Sequence, residues 1–291
     1  MDVEPLVHLI TDAAPLTILT GAGISTDSGI PDYRGTGVDR RRTPPITYRE
    51  FMRDPAARRR YWARSHVGYR HVAAARPNGG HHAVTALQQA GLVGRVITQN
   101  VDGLHHRAGT TGVLGLHGRL DQVVCTSCAD VRPRVEIGLR LAALNPGVEE
   151  RAAAIAPDGD ADLSRADSDR FRLADCRRCG GVLKPDVVFF GESMPRDRRD
   201  LAAEALAGSG GLLVLGSSLA VMSGYRLVLQ AAKARQPVAI LTRGPSRGDH
   251  LADVRIDAGL TEVLTEVVAR VAVTAPTDTP ARAVAAPAAH S

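Results

Sequence analysis

A chain of 291 residues, 44% hydrophobic and 23% charged, has material for one large domain with an insertion, or for two domains with separate cores. It has no run of about 18 apolar residues, which excludes a membrane-spanning helix. The net charge of +5 comes from scattered arginines without stacking aromatics between them, which speaks against nucleic acid and leaves acidic partners open.

The residues ahead of the first strand include Asp2, Glu4 and Asp12, unlike a signal or transit peptide, so a cytoplasmic location is expected. The first strand is Leu16 to Thr20, and a glycine-rich turn follows it, from Thr20 to Gly35, closing on Asp32-Tyr33-Arg34. Gly21 and Gly23 lack the β-carbon that would hold a ligand off the backbone. Amides there can meet a pyrophosphate at the positive end of the next helix. The spacing is not the usual G-x-G-x-x-G, because Gly29 is the next glycine after Gly23. An acid closing a second strand, where a dehydrogenase holds its ribose, is also missing. Taken alone, the segment fits an unliganded tight turn as well as a nucleotide loop.

Further apolar runs lie at Arg95 to Asn100, Val113 to Leu116, Val187 to Phe190, Leu212 to Gly216, Val238 to Leu241 and Val254 to Asp257. Helix-like stretches at His81 to Ala90, Arg199 to Ala207, Tyr225 to Ala234 and Thr261 to Val271 fall between several of them. This alternation predicts an α/β, doubly wound parallel sheet with ligands beyond the carboxyl ends of its strands. Two stretches interrupt it and read as a smaller second domain, one rich in arginine and aromatics and one holding all four cysteines. The expected division is 1–35, 77–118 and 187–272 for the sheet domain, 36–76 and 119–186 for the two insertions, and 273–291 for a disordered Ala/Pro/Thr-rich tail.

Four groups of residues carry candidate chemistry. Cys125-x-x-Cys128 and Cys176-x-x-Cys179 are two knuckles suited to one structural zinc with four thiolate ligands. A redox dithiol and a nucleic-acid-binding ribbon remain open at this level. Gln99, Asn100 and Asp102 gather at a strand end, where amide and carboxylate groups can hold a carboxamide and a ribose. His117 has an ordinary pKa near 6.5, suited to a general base, and the following Gly118 is expected to leave space around the ring. Lys184 to Glu192 contains an extended segment able to pair with a peptide, and Gly216-Ser217-Ser218 forms another phosphate- or ribose-facing turn.

In this order, GAGISTDSGIPDYRG, TQNVDGLHHRAG, Leu116-His117-Gly118, the two CxxC pairs, KPDVVFFGE and GSSLAVMSGYR resemble the sirtuin family over roughly residues 5 to 270. Arg60-Tyr-Trp-Ala-Arg64, Ala156 to Asp160 and Gly244 to Arg247 with Asp249 make the chain most similar to the class II branch. The resemblance implies a Rossmann-type NAD-binding domain, a smaller domain of helical and zinc modules, and NAD meeting acyl-lysine in the cleft between them. It implies an NAD-dependent protein-lysine deacylase, working as a monomer, that transfers the acyl group to ADP-ribose and releases nicotinamide. Mono-ADP-ribosyl transfer at the same site is the alternative.

Carried over position by position, Gly21, Ala22, Gly23, Asp32, Tyr33 and Arg34 line the cofactor loop. Gln99, Asn100 and Asp102 hold the nicotinamide and its ribose. Gly216, Ser217, Ser218, Thr242, Arg243, Gly244 and Leu260 face the adenosine half. Val188, Phe189 and Gly191 flank the peptide, and His117 is the base, with Asn100 beside it in the catalytic set. Two departures stand out: Thr242 where the family commonly has an asparagine on the adenosine ribose, and Arg40, Arg41 and Arg42 in the loop expected to close over the cofactor. Tyr61 and Arg64 have the spacing that the desuccinylase branch uses for carboxylated acyl chains. Because i and i+3 share a helix face, the pair either lines an acid-acyl pocket or points outward.

Overall fold

The alternation of apolar runs and helices folds into two sheets of unequal size. The computed structural model describes residues 2–32, 45–148, 163 and 165–274. The first half comprises α1 (Glu4–Asp12), β1 (Leu16–Thr20), a 3-10 segment (Ala22–Ser28), α2 (Tyr48–Arg53), α3 (Pro55–Ala74), α4 (Gly79–Gln89), β2 (Val93–Thr98), α5 (Leu104–Arg107) and β3 (Leu114–Gly115). There follow β4 (Gly118–Cys125), β5 (Val131–Pro133), α6 (Arg134–Leu144), α7 (Arg165–Arg170) and β6 (Leu183–Val187). The chain then returns through α8 (Arg196–Ala207), β7 (Leu212–Leu215), α9 (Met222–Lys233), β8 (Val238–Leu241), β9 (Val254–Ile256) and α10 (Leu260–Thr274). Tyr33, Arg34, the Arg40 to Arg42 run, Ala156 to Asp160 and residues 275–291 lie outside the described residues.

The larger sheet has the order β3-β2-β1-β7-β8-β9, and all its pairings are parallel. Strand periodicity divides its side chains between two cores. Leu16, Ile18, Leu213, Leu215, Ala239 and Leu241 pack with α1, α4 and α10 on one face. Leu19, Leu212, Val214, Val238 and Ile240 pack with α8 and α9 on the other. Burial on both faces explains why the strands read as unbroken apolar runs rather than as alternating ones. The chain winds outward from β1 to β3 and later returns to lay β7 on the other side of β1, so the topological switch lies between β1 and β7. A crevice opens beyond their carboxyl ends.

The smaller sheet is antiparallel, in the order β5-β4-β6. A third core, including Phe51, Trp62, Val123, Ile137, Phe171 and Phe189, joins it to α2, α3 and α6 and to residues flanking α7. Trp62 Nε1 donates to the Leu183 carbonyl at 3.0 Å. The buried Arg134 guanidinium stacks 4.6 Å from the Trp62 ring and donates to the Ser65 carbonyl at 3.0 Å. The helical and cysteine-bearing insertions thus share one core.

Three elements differ from their sequence reading. The run Val187 to Phe190 contributes only its first residue to a strand, because Leu183–Val187 returns beside β4 and pairs antiparallel in the small sheet. Gly118 does not make room for the His117 ring. Its φ is +83° and a β-carbon there would sit 1.9 Å from the Asp186 carbonyl oxygen, so its bareness lets β4 meet β6. Helix α10 continues to Thr274, one residue past the start of the expected tail, whose remaining residues 275–291 lie outside the described residues.

Burial keeps three histidines of the two lobes uncharged. His66 and His81 are held down to about 4 and His105 to about 3, with neighbouring Arg134, His82 and His81 respectively adding repulsion. The unfolded chain takes up these protons near 6.5 and the folded chain does not, so their cost is absent above that value and grows as the pH falls towards about 4. Urea midpoints are expected to be equal at pH 7 and 8 and clearly lower at pH 5; equal midpoints at 5 and 7 would contradict this burial.

Candidate active site

Two loops meet backbone to backbone at the switch point. Gly21 N donates to the Leu215 carbonyl at 3.0 Å, and Gly23 N to the Gly216 carbonyl at 2.8 Å. A β-carbon on Gly21 would lie 2.8 Å from the Gly216 oxygen, and one on Gly23 2.9 Å from Gly216 Cα. Gly216, with φ +62°, would itself bring a β-carbon to 2.6 Å from Ile24 N. These glycines therefore serve the approach of one loop to the other. The turn leads into the 3-10 segment and not into the α-helix the motif suggested, and Gly29 ends it in the left-handed region. Asn78, capping α4, donates to the Ile24 carbonyl at 2.8 Å and to Ser28 Oγ at 2.9 Å, which fixes the segment from behind.

At the end of β2, Asn100 Nδ2 donates to the Gly21 carbonyl at 3.0 Å and to Ser25 Oγ at 3.1 Å. Ser25 in turn donates to Asp102 Oδ2 at 2.7 Å, while Leu104 N donates to Oδ1 at 2.8 Å. Burial pushes the Asp102 carboxyl upward, against the pull of the Leu104 amide and the Ser25 hydroxyl. Gln99 is held at both ends. Its side-chain oxygen accepts from Ser217 Oγ at 2.7 Å, and its carbonyl lies 2.8 Å from His117 Nδ1.

A carbonyl only accepts, so His117 Nδ1 carries the proton and Nε2 carries the lone pair. Nε2 is 2.8 Å from Ser223 Oγ at the start of α9. Burial lowers the His117 pKa below 6.5, outweighing the Gln99 carbonyl, which raises it; Arg198 adds a further lowering. The ring is therefore neutral at pH 7 and ready to accept a proton.

The His117 carbonyl accepts from Val188 N at 2.9 Å, tying the base to the extended segment 187–191. Phe189 is buried, and its amide donates to Glu192 Oε2 at 2.8 Å. The buried Lys184 ammonium holds that carboxylate at 3.0 Å and the Val187 carbonyl at 2.6 Å. Tyr48 N donates to the Phe190 carbonyl at 2.9 Å, and Gly191 turns the chain with φ +76°. The Tyr61 ring packs 5.0 Å from Phe189 and 5.5 Å from Phe51. Arg64, one helical turn further along α3, is half-buried.

Beyond β8, Thr242 is buried and its carbonyl accepts from Arg255 at 3.1 Å. Arg255 also donates to the carbonyls of Gly244 and Ile256 and pairs with Asp249 at 2.8 Å, knitting the loop together. Arg243 is exposed and lies against Gly259. The Leu260 side chain points into the core beside α1 and α4, so only its backbone is available to a ligand. The Ser218 carbonyl accepts from Arg247 N at 3.0 Å, and the Arg247 guanidinium caps the Tyr225 ring at 4.1 Å. Ala22 opens the 3-10 segment, and Asp32 lies beyond its end.

The four cysteine sulfurs lie within 4.8 Å of one another, with Cys125 and Cys179 at 3.5 Å and Cys128 and Cys176 at 3.8 Å. Four ligands about 2.3 Å from a tetrahedral zinc stand roughly 3.8 Å apart, so the cluster fits that ion. No disulfide links them. Burial disfavours the Cys125 thiolate, but the amides of Cys128 and Ser127 and contacts from neighbouring thiols bring its pKa down to about 6. The donor set is all thiolate, with all four cysteines of the chain consumed. That is a closed, structural site.

Sequence reasoning missed Ser25, Ser223 and Arg255. Ser25 and Ser223 stood inside the quoted motifs, but a hydroxyl gives no spacing signal until the fold brings it against its partner.

The sheet, the crevice at its switch point and the inserted four-thiolate lobe define a dinucleotide-binding α/β protein with a metal knuckle. Residues 21–223 match the Sir2 family. The chain is 54% identical over 255 residues to NAD-dependent protein deacetylase 1 of Streptomyces coelicolor, spanning 88% of this chain and 85% of the relative. It is 44% identical over 265 residues to the NAD-dependent protein deacylase Sirt4 of Drosophila melanogaster, spanning 90% and 85%. Among solved structures, a Sir2 with p53 peptide and NAD+ aligns with a TM-score of 0.75 at 27% identity, covering 94% of this chain and all of the other. The chain belongs to the Sir2 family.

Purified protein is expected to contain one zinc per chain. Cys176→Ala should lose it, expose the core around Trp62 and Phe171, and abolish activity indirectly. Elemental analysis together with the fluorescence of Trp62, the single tryptophan, checks this; fully active protein free of zinc would refute it.

Proposed function

We propose that this protein is an NAD-dependent protein-lysine deacylase in which His117 is the general base. The observation that carries this reading is the fixed tautomer of His117, whose Nε2 lone pair meets the rotatable hydroxyl of Ser223 while its carbonyl anchors the extended segment 187–191. Base and peptide edge are thus adjacent in the chain and in space.

Bound NAD supplies a ribose carbon that nicotinamide can leave and that the acyl oxygen of the substrate lysine can join. Gln99, Asn100 and Asp102, with Ser25, are the groups for the nicotinamide end and its ribose, and Asn100 and Asp102 arrive already oriented by their hydrogen bonds to the shared Ser25 hydroxyl. Gly21 to Gly23, with Asp32, are the described residues that would meet the phosphates, and Tyr33 and Arg34, which the family resemblance adds to them, lie outside the described residues. Ser217, Ser218 and the loop from Thr242 to Gly244 take the adenosine half. Thr242 is buried and its carbonyl is engaged by Arg255, so backbone groups of this loop take over the contact that the family's asparagine makes. Val188, Phe189 and Gly191 offer a strand edge to the substrate peptide. Alignment in a dry site supplies much of the acceleration for a weak amide nucleophile. His117 Nε2 would then take a proton from the sugar hydroxyls, and with one water supplying the remaining oxygen the acyl group would pass to a hydroxyl of ADP-ribose and free lysine would leave.

The small sheet and helices α2, α3 and α6 form a second lobe around one core, and acylated proteins are the partners. Tyr61, whose ring is seated against Phe189, and Arg64 are the residues assigned to a carboxylated acyl chain, the alternative being that the pair faces outward. A side-by-side panel of acetyl, succinyl, glutaryl, lipoyl and long-chain peptides defines the acyl class, and Arg64→Met is expected to lose rate selectively on the carboxylated chains.

His117→Ala should lower product formation by about 100-fold or more, measured as acyl-peptide-dependent nicotinamide release. Full turnover by the variant, or labelling of proteins by NAD without acyl-lysine, would overturn the reading. Because burial lowers the His117 pKa, the acid limb of kcat/KM should fall below 6.5, with activity lost as the pH drops through that lowered value.

A further inference from the structure

We propose that Ser223 is a positioning residue for the base, holding the reactive nitrogen of His117 in both of its protonation states. The inference rests on the deacylase reading and assigns a role to a side chain that this reading does not require.

The geometry leaves little freedom. The Gln99 carbonyl fixes the proton on Nδ1, so the short contact from Ser223 Oγ to Nε2 is a hydroxyl donating to the lone pair. One lone pair serves one donor, so the serine hydroxyl turns about its Cβ–Oγ bond and leaves Nε2 as a sugar hydroxyl takes its place. Once that hydroxyl has given its proton to Nε2, Ser223 Oγ offers its own lone pair to the new N–H. A hydroxyl can make both bonds; a methyl group can make neither. The partner is also held in place. Ser223 occupies the first turn of α9, where Val221 provides no side-chain cap. The next residue, Gly224, lies against Gln99 so closely that a β-carbon would stand 2.7 Å from Gln99 Nε2. The residue that sets the tautomer therefore also sets the distance of the helix carrying Ser223.

The consequence is specific to one stage of the reaction. Exchange of free nicotinamide into NAD on an acylated peptide needs alignment and departure of nicotinamide, and no proton transfer to His117. Passage of the acyl group to ADP-ribose needs that transfer. A defect in holding Nε2 thus falls on the second process more than on the first.

The experiment uses the full-length zinc-loaded protein with labelled nicotinamide and an acylated peptide that the wild type turns over. Ser223→Ala is expected to reduce the ratio of acyl transfer to nicotinamide exchange about tenfold, and Ser223→Thr, which keeps a hydroxyl, to restore most of it. Alanine is well tolerated in a half-exposed first helical turn, and Ser223→Gly serves as a second deletion of the hydroxyl. An unchanged ratio in the alanine and glycine variants would overturn the proposal, as would a threonine variant no better than alanine. Absence of acyl-peptide-dependent nicotinamide release by the wild type would instead overturn the deacylase reading itself.

Discussion

The crevice depends on contact between two bare stretches of backbone. Parallel strands β1 and β7 are hydrogen-bonded neighbours, so the loops leaving them start about 4.8 Å apart. They can both turn into the same space only if neither carries side chains at the crossing. Gly21, Gly23 and Gly216 meet that requirement, and the Gly23 amide spends its hydrogen bond on the Gly216 carbonyl. Adding one methyl group to any of the three would bring it within 3 Å of the opposite backbone, and backbone cannot yield as a flexible side chain can. The glycine-rich turn is thus first a device for joining two loops, and its openness to a ligand follows from that joining.

Gln99 carries this arrangement to the base. Its amide nitrogen continues the pairing of β2 with β1, its side chain is pinned by Ser217 from the β7 loop, and its carbonyl selects the tautomer of His117. One residue thereby converts the register of the sheet into the orientation of a lone pair. Orientation of this kind is set before any ligand arrives, and rate enhancement by proton transfer requires it.

Much of this was legible in the chain. Continuous apolar strands with polar motifs at their carboxyl ends announce a parallel sheet and its crevice, and the paired CxxC knuckles announce the cluster of sulfurs. What stayed hidden depends on contacts between distant segments. The glycine motif did not reveal that its residues press on Gly216 or that a 3-10 segment follows, because the same three glycines would suit a helix start on a phosphate. Gly118 beside His117 suggested space for the ring, whereas the demand comes from the carbonyl of Asp186, far along the sequence. Helix α3 lacks a clean apolar stripe because Trp62, Ala63, Ser65, His66, Val67 and Gly68 are buried on several sides, so periodicity could not define it.

The metal knuckle and the base lie at opposite ends of one strand. Strand β4 begins at Gly118, directly after His117, and ends at the zinc-ligand candidate Cys125. At its start, Leu116 N is tied to the Thr98 carbonyl of the large sheet, while Gly118 pairs with Val187 of the small one. His117 therefore sits where the two sheets join, held from each side. A lobe that loses its metal loosens the far end of β4 and β6 together, and β6 leads directly into the extended residues Val188 and Phe189. The cysteines are remote from His117, yet they sit on the strand pair that holds the His117 carbonyl 2.9 Å from the Val188 amide across a single hydrogen bond. A structural ion can in this way be required for turnover without touching any reacting atom.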